Sequence, residues 1–145
     1  MVILFDRFNL PEDIYEVVFA TEQQKIVGKL LVKEMKKNNS EFTKSEMSNF
    51  AMNLHEGKVV AEIDHPKYQG KKVKLSYNKR QFYDRILTPM KGMGLIDYDL
   101  YKKTYKISDR FNKALIKIGL MWIREFGKQE LKEWNSQLSF LMILN

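Results

Sequence analysis

Hydrophobic residues recur at intervals of three and four over the first third of the chain, which is the period of helices with one buried face. After Thr21 the recurring positions are Ile26, Val27, Leu30, Leu31 and Met35. After Thr43 they are Met47, Phe50, Ala51 and Leu54. Thr21 with Gln24 and Thr43 with Glu46 have the spacing of capping boxes, in which side chains satisfy the first free amides of a helix. The pattern therefore predicts two helices, the second of which ends at Gly57.

The pattern changes to short apolar runs over residues 58–75. Val59–Ile63 and Lys72–Leu75 have the composition of strands, and the residues between them include the turn formers Pro66 and Gly70. We therefore expect a β-hairpin between the second helix and the next one.

Residues 76–94 return to the helical period. The predicted inner face consists of Phe82, Ile86, Met90 and Met93. Pro89 removes one backbone hydrogen bond and should bend the last turn, and Gly94 should end the helix. The polar side chains are Arg80, Gln81, Asp84, Thr88 and Lys91 on the outer face, Arg85 on its flank, and Asn78 and Lys79 at the N-terminus.

Two further elements are predicted after this third helix. Residues 95–107 alternate between apolar and polar positions and turn at Leu100–Lys103, which indicates a second hairpin. Ser108 is expected to cap another helix, with a buried face made of Phe111, Leu115, Ile118, Trp122 and Phe126. Seam-like spacing continues at Leu131, Trp134, Leu138 and Leu141. With Trp122, these seam residues form the predicted dimerisation surface.

The first 20 residues are predicted to form an arm outside the central domain. Two apolar patches are separated by Pro11, which with Glu12 and Asp13 suits the first turn of a short helix. The arm is expected to pack on this chain or on a second subunit. The predicted organisation is an arm over residues 1–20, a domain over 21–110 and a helical dimerisation segment over 111–145.

The net charge of +7 is concentrated in the middle third of the chain. Residues 56–110 contain 13 basic and 7 acidic residues, whereas residues 1–55 contain 7 and 8. A localised positive field favours a polyanionic partner, because binding releases the counterions of that partner. The alternative is a solvated lysine-rich surface, since 20 of the 25 basic residues are Lys.

The outer side chains of the third helix have the chemistry needed to read base edges. Arg and Gln can make bidentate contacts to guanine and adenine respectively, and free amides at a helix N-terminus favour phosphate. Arg85 could reach a phosphate, while Asp84 would orient Arg80 or Arg85 or accept a hydrogen bond from cytosine. The alternative is that these residues are only the solvated face of an amphipathic helix.

Both predicted hairpins carry lysines that suit phosphate contact. The tip of the second hairpin contains Tyr101, Lys102 and Lys103, which fit phosphate or minor-groove contact. The alternative is a polar turn in which Lys protects an edge strand. Candidate backbone contacts on the first hairpin are Lys58, Lys67, Lys71, Lys72 and Lys74. The alternative for this hairpin is a solubilised insertion without a binding role.

The stretch from Arg80 to Ser108 resembles the archaeal winged helix-turn-helix transcriptional regulators. Their Leu-x-Pro-Leu-like helix, Gly-Leu-Ile element and closing Tyr-x-Ile/Leu-Ser/Thr are matched by Leu87–Met90, Gly94–Ile96 and Tyr105–Ser108. The resemblance implies DNA binding by the third helix and by the following hairpin, the wing, usually in a dimer. Family members keep a short connection between the second and third helices, so the inserted hairpin is a departure that leaves the docking geometry open.

The predicted fold class is α+β and mostly helical. It is a winged helix-turn-helix with an inserted β-hairpin between helices 2 and 3 and a C-terminal helical extension. The expected function is sequence-specific binding of double-stranded DNA by a homodimeric transcriptional regulator, with helix 76–92 in the major groove and the 95–107 wing on the backbone or in the minor groove. The alternative is a winged-helix module that binds proteins of the transcription or replication machinery.

Other classes of protein find little support in the composition. The absence of cysteine removes disulfides and thiolate chemistry and fits a reducing cytoplasm. No apolar run reaches the ~18 residues that span a membrane, and the N-terminus does not read as a signal peptide. We expect no enzyme activity and no cofactor, because neither a phosphate-binding glycine loop nor a nucleophile elbow is present. His55 and His65, with Glu56 and Asp64 beside them, are a weak metal pair, so no metal site is expected.

Overall fold

A computed structural model describes residues 6–62, 72–127, 132–133 and 135–139. These residues form an α+β structure that is mostly helical, and the chain divides into two units, Met1–Ser108 and Asp109–Asn145. The helices of the first unit are α1 (Ile14–Val18), α2 (Glu22–Lys37), α3 (Lys44–His55), α4 (Lys79–Phe82) and α5 (Thr88–Met93). Its strands are β1 (Glu41–Thr43), β2 (Val59–Glu62), β3 (Lys72–Leu75), β4 (Ile96–Asp99) and β5 (Thr104–Ile107). The second unit begins with α6 (Arg110–Ile123).

The first two predicted helices begin at the residues that their capping patterns indicate. The Thr21 hydroxyl accepts a hydrogen bond from the Gln24 amide at 3.2 Å. Thr43 and Glu46 form a reciprocal capping box, with distances of 3.1 and 3.2 Å. Each box satisfies amides that have no partner within the helix, so both predicted helix starts are confirmed.

The arm packs on α2 of the same chain. Its helix begins at Ile14 rather than at Pro11, because Asp13 caps it by accepting from the Tyr15 amide at 3.0 Å. The ring of Phe19 is buried against Gly28, where a Cβ would lie 2.8 Å from the Phe19 Cζ atom. A glycine is therefore needed on α2 for this close approach.

The third helix differs from its prediction in both start and shape. It begins after Asn78 and runs through α4, a π-helical segment at Tyr83–Leu87, and α5. Pro89 follows the π-helical segment closely, and the backbone stays right-handed helical through Leu87 and Thr88, so α5 has no free N-terminus at this point. We attribute the wider π turn to Pro89, which lacks an amide and cannot continue the regular ladder of hydrogen bonds. The sequence predicted an irregularity in the last turn, whereas the structure has one at Tyr83–Leu87.

The π turn also changes which side chains face inward. Phe82, Ile86 and Met90 are buried as predicted, whereas Met93 is only half-buried. Leu87 joins the inner face with 1% of its surface exposed, although a regular helical period did not place it there. Gly94 ends α5 in the left-handed conformation, as expected.

The second predicted hairpin is confirmed as β4–β5, and it belongs to a three-stranded antiparallel sheet. The strand order is β1–β5–β4, with Phe42 and Tyr98 on either side of Tyr105. β1 was not predicted, because three residues are too few to show an alternating pattern. It ties the connection between α2 and α3 to the second strand of the hairpin.

The core of the first unit lies between α2, α3, the third helix and this sheet. Its most deeply buried side chains are Val27, Leu31, Met35, Met47, Leu54, Phe82, Ile86, Leu87, Met90 and Ile96. No charged side chain is buried among residues whose burial is described. The core of the described residues is therefore built without charged side chains.

The inserted hairpin, β2–β3, lies between α3 and α4 as predicted, with Val59 paired to Leu75. Both of its ends meet at one point. The Leu54 carbonyl accepts from the Gly57 amide at 3.2 Å and from the Tyr77 amide at 2.9 Å. The end of α3 therefore stays beside the start of α4, much as a short turn would hold them.

α6 is an amphipathic helix, and none of its residues is buried. It begins after Asp109 rather than at a Ser108 cap, and no side chain caps its first turn. The predicted apolar face is present but not covered: Leu115, Ile118, Trp122 and Phe126 are 43 to 64% exposed, and Phe111 is partly exposed. The sequence predicted a buried face at these positions, and no described residue of the second unit buries it.

The predicted seam lies mostly outside the described residues. Leu131, Trp134 and Leu141 fall there, and Leu138 is half-buried. In the part of the chain that the structure describes, no helix combines the length and the apolar character that crossing a membrane requires.

Candidate nucleic-acid interface

The outer face of the third helix is open to solvent. Arg80, Gln81, Asp84, Arg85, Thr88 and Lys91 are all exposed, and Lys79 is half-buried. The side chain of Arg80 is 92% exposed. The sequence prediction therefore assigned the outer residues correctly, even though it missed the π turn between them.

The N-terminus of this helix is occupied by the chain's own side chains. The Asn78 side-chain oxygen accepts from the Gln81 amide at 3.1 Å. His55 Nδ1, at the end of α3, accepts from the Lys79 amide at 3.2 Å. Because these two amides already have partners, they are not free to bind phosphate. The sequence had indicated the opposite, that amides at this N-terminus would be available to phosphate.

His55 therefore works as a capping residue in this structure. His65, the other histidine of the weak metal pair, and Asp64 beside it lie outside the described residues. Within the described ranges no group of three or more metal-binding side chains occurs.

The acidic residue in the outer face pairs with a basic neighbour. The Asp84 carboxylate lies 3.8 Å from the Arg80 guanidinium, one helical turn away. Both side chains are mostly exposed, so the pair adds little stability. Its effect is to orient Arg80, which is one of the roles anticipated for Asp84. Burial raises the pKa of the Tyr77 phenol, and the charge of Arg85 partly offsets that rise.

An open depression of about 570 Å³ lies where the end of α3 meets the start of α4. Its lining residues are Met52, His55, Asn78, Lys79, Arg80, Tyr83 and Asp84. Arg80 and Asp84 thus border an open surface rather than packing beneath another part of the unit.

The tip of β4–β5 has a fixed turn. The Asp99 carboxylate accepts from the amides of Tyr101 and Lys102 at 2.9 and 3.2 Å. The hydrogen bonds from Lys102 and Tyr101 hold the pKa of Asp99 below its usual value. Lys103 has a φ of 53°, which few residues with a side chain adopt. The turn presents Tyr101, 99% exposed, with exposed Lys102 and Lys103 beside it.

Lys44 is a candidate site residue that sequence reasoning missed. It is the first residue of α3, and its amide donates to the Lys103 carbonyl at 2.9 Å. Its exposed side chain therefore belongs to the same region as the lysines of the β4–β5 tip. Only the pairing of β1 with β5 brings these distant residues together, so no local pattern could have indicated it.

The lysines of the inserted hairpin differ in their surroundings. Lys58 forms an ion pair with Glu56 at 2.7 Å, and that hydrogen bond raises the pKa of Lys58 and lowers the pKa of Glu56. Lys72 and Lys74 are exposed on β3. Lys67 and Lys71 lie outside the described residues.

Lys91 differs from the other outer residues of the third helix. Its ammonium lies over the rings of Tyr98 and Tyr105 in the β4–β5 hairpin, at 5.5 and 5.8 Å from the two ring centroids. Its charge therefore faces the sheet, and not only solvent.

Comparison with protein-family models, with curated proteins and with solved structures finds no significant match to this chain.

Proposed function

We propose that this chain is a winged helix-turn-helix protein that binds double-stranded DNA sequence-specifically and regulates transcription in the cytoplasm. The order of α2, β1, α3, the third helix and β4–β5 supports this architecture, because the wing follows the third helix directly. The pairing of β5 with β1 supports it further, because it anchors the wing to the connection between the first two helices of the domain.

The observation that carries the proposal is the division of the third helix into two faces. Phe82, Ile86, Leu87 and Met90 are buried, whereas the residues of the opposite face are exposed and include Arg80 and Gln81. A helix anchored in this way can enter the major groove, which is about 12 Å wide. We propose that Arg80 and Gln81 read bases there, with Thr88 and Arg85 alongside.

The lysines around this helix are proposed to contact the phosphate backbone. Lys102, Lys103 and Lys44 form one group at the wing tip, and Lys72 with Lys74 forms a second on the inserted hairpin. Contacts of this kind set orientation and affinity but carry no sequence information. Their contribution should weaken steeply as salt rises.

Selection of duplexes from a random pool at two salt concentrations tests the proposal. A shared motif should be enriched at both concentrations, and the logarithm of the binding constant should fall linearly with the logarithm of the salt concentration. Replacing both Lys33 and Lys36 on the exposed side of α2 by Ala is a matched control, since it removes two charges outside the proposed interface. Enrichment of no motif, or binding insensitive to salt, would contradict the proposal.

We further propose that two copies associate through the apolar face of α6. Ile118 and Trp122 are exposed on this face, and a second copy would cover them with the same residues. A dimer would engage two half-sites separated by about one turn of DNA. Light scattering should show a dimer for the natural chain and a monomer for Ile118→Glu with Trp122→Glu. The control is Lys117→Glu, on the polar side of α6, which should stay dimeric.

The exposed face of α6 also favours the alternative function, a module that binds a protein of the transcription or replication machinery. The two functions differ in what the face of α6 contributes. A dimeric DNA-binding protein loses affinity for a two-half-site duplex when Ile118 and Trp122 are replaced. A protein-binding module enriches no DNA motif, and its natural chain, with Ile118 and Trp122 in place, is already a monomer.

A further inference from the structure

Four side chains connect the third helix with the β4–β5 hairpin. Lys91 in α5 and Tyr83 in the π segment come from the helix, while Tyr98 and Tyr105 come from the two strands. The Tyr98 and Tyr105 rings are paired, with centroids 4.5 Å apart and planes inclined by 37°. We call these four residues the tyrosine–lysine cluster.

The Lys91 ammonium closes one side of this cluster. It lies within 6 Å of both ring centroids, the range in which a cation is attracted to the face of an aromatic ring. Contact with both rings at once depends on the angle between the hairpin and α5, because the two rings come from the strands and the ammonium comes from the helix. The cluster therefore couples the position of Lys91 to the position of the hairpin.

Tyr83 approaches the cluster from the π segment. Burial is the main cause that raises the pKa of the Tyr105 phenol, and the neighbouring Tyr83 and Tyr98 hydroxyls raise it further. The ring of Tyr83 also packs edge-on against the buried Phe82, with centroids 5.5 Å apart. The cluster thus reaches from the exposed end of Lys91 to the core of the unit.

We propose that Lys91 is a positioning residue, which holds the β4–β5 hairpin at a fixed angle to the third helix and does not contact DNA. This inference rests on the proposed function and replaces the role that the sequence analysis gave to Lys91. The ammonium is already held at the aromatic rings, and reaching a base or a phosphate would require it to leave them.

The distance from the cluster to the wing tip makes this angle important. The tip lies about three residues beyond Tyr98, or roughly 10 Å at the rise of a β-strand. A rotation of about 20° at the cluster would then move Lys102 and Lys103 by roughly 3 to 4 Å, more than the length of a hydrogen bond. Loss of the cluster contact would therefore weaken phosphate contacts made by residues that Lys91 does not touch.

Two variants separate positioning from direct contact with DNA. Lys91→Met keeps a long flexible side chain but removes the charge, whereas Lys91→Arg keeps a cation that can lie over a ring. We expect Lys91→Met to lower the affinity for the selected duplex about two- to fivefold. In a chain that already carries Lys102→Ala and Lys103→Ala, Lys91→Met should leave the slope of log K against log salt unchanged. Lys91→Arg should restore the affinity. A lost phosphate contact would instead reduce the steepness of that slope by about 0.9.

A double-mutant cycle provides the second readout. In the Lys91→Met protein, replacing Lys102 and Lys103 by Ala should cost less affinity than it does in the natural chain, because the tip, although still joined to β1 and Lys44, is placed less precisely. Additive losses together with a reduced salt slope would identify Lys91 as a phosphate contact and overturn the proposal. Affinity unchanged by Lys91→Met would overturn it as well.

Hydrogen exchange without DNA distinguishes failure of this inference from failure of the proposed function. Amides of β4 and β5 should exchange about two- to fivefold faster in Lys91→Met than in the natural chain, and Lys91→Arg should return them to the natural rate. Unchanged exchange would overturn the positioning role even if the natural chain bound no DNA. If β4 and β5 exchanged faster in Lys91→Met but the natural chain bound no DNA, the contact of Lys91 with the tyrosine rings would be upheld and the proposed function would be rejected.

Discussion

The two hairpins have strands of the same length but different anchoring. Both have two antiparallel four-residue strands with lysines on exposed positions. The β4–β5 hairpin shares a sheet with β1 and buries Ile96 and Tyr105 beneath the third helix. In the described residues β2 and β3 pair with each other alone, and Val60 is 53% exposed.

This difference shows that the surroundings of a hairpin, rather than its own pattern, decide how firmly its tip is placed. β1 pairs with the edge of β5, and the third helix covers one face of β4–β5, so displacement of that hairpin would disturb the core. In its described residues, the inserted hairpin is held where its two ends meet at Leu54 and where Val59 and Leu75 pack against the core. We therefore assign the precise placement of charge to the wing and expect the inserted hairpin to tolerate change.

The largest expected effect is on the free energy of unfolding, when a buried residue of β4–β5 is compared with an exposed residue of β2–β3. Tyr105→Ala removes a ring that is 8% exposed and should lower the free energy of unfolding by about 3 kcal/mol. Val60→Ala on β2 should change it by no more than about 0.5 kcal/mol. Urea unfolding measures both values, and equal losses would show that the two hairpins are anchored alike.

The next effect concerns binding. Lys102→Ala with Lys103→Ala should weaken binding to all duplexes, roughly tenfold or more, and reduce the steepness of the salt dependence by about 1.8. Lys72→Ala with Lys74→Ala should have a smaller effect, because the strand that carries them is less firmly placed. Fluorescence anisotropy titrations over a series of salt concentrations measure both. A larger loss of affinity from the Lys72 and Lys74 replacements would show that the inserted hairpin, and not the wing, makes the stronger contact with DNA.

A smaller effect is expected from the backbone of the wing tip. Lys103 adopts a left-handed conformation, which costs a residue with a Cβ about 1 kcal/mol relative to glycine. Lys103→Gly should therefore raise the free energy of unfolding by up to about 1 kcal/mol while removing a charge. Lys103→Ala, which loses the same charge but keeps the Cβ, is the control. If both variants had the same melting temperature, the tip would not be strained.

The smallest effect is a pH dependence of the same turn. The pKa of Asp99 is lowered in the folded chain, so its contribution to stability is present above the usual Asp pKa of about 3.9 and is lost as the pH falls through the lowered value. Asp99→Asn keeps a side-chain acceptor but cannot titrate. The stability advantage of the natural chain over Asp99→Asn should be constant near neutrality and shrink below about pH 4. An advantage that grew on acidification would contradict this sign.

Much of the fold could be predicted from the sequence because its signals are local. Thr21 and Thr43 cap helices through residues three positions away, and the alternation that predicts β4–β5 lies within one short stretch. The inner face of the third helix was predicted for the same reason. Leu87 was missed because the π turn, which a regular period does not contain, rotates it inward.

Features that depend on pairing between distant residues could not be predicted. β1 is recognisable only through its partner β5, and the approach of Lys44 to Lys103 follows from that pairing. The capping of the Lys79 amide by His55 joins residues 24 positions apart. Lys91 was placed on the outer face correctly, but only the packed structure shows that its ammonium faces two tyrosine rings.

The most direct test of DNA reading by the third helix compares one variant on two duplexes at a fixed salt concentration. Arg80→Ala with Gln81→Ala removes two side chains that can each make a bidentate base contact, worth about 1 to 3 kcal/mol of discrimination apiece. We predict a loss of roughly 100-fold on the selected duplex, a much smaller loss on a scrambled duplex, and an unchanged melting temperature. Equal affinity for the selected duplex before and after the replacement, or equal losses on both duplexes, would contradict the proposal.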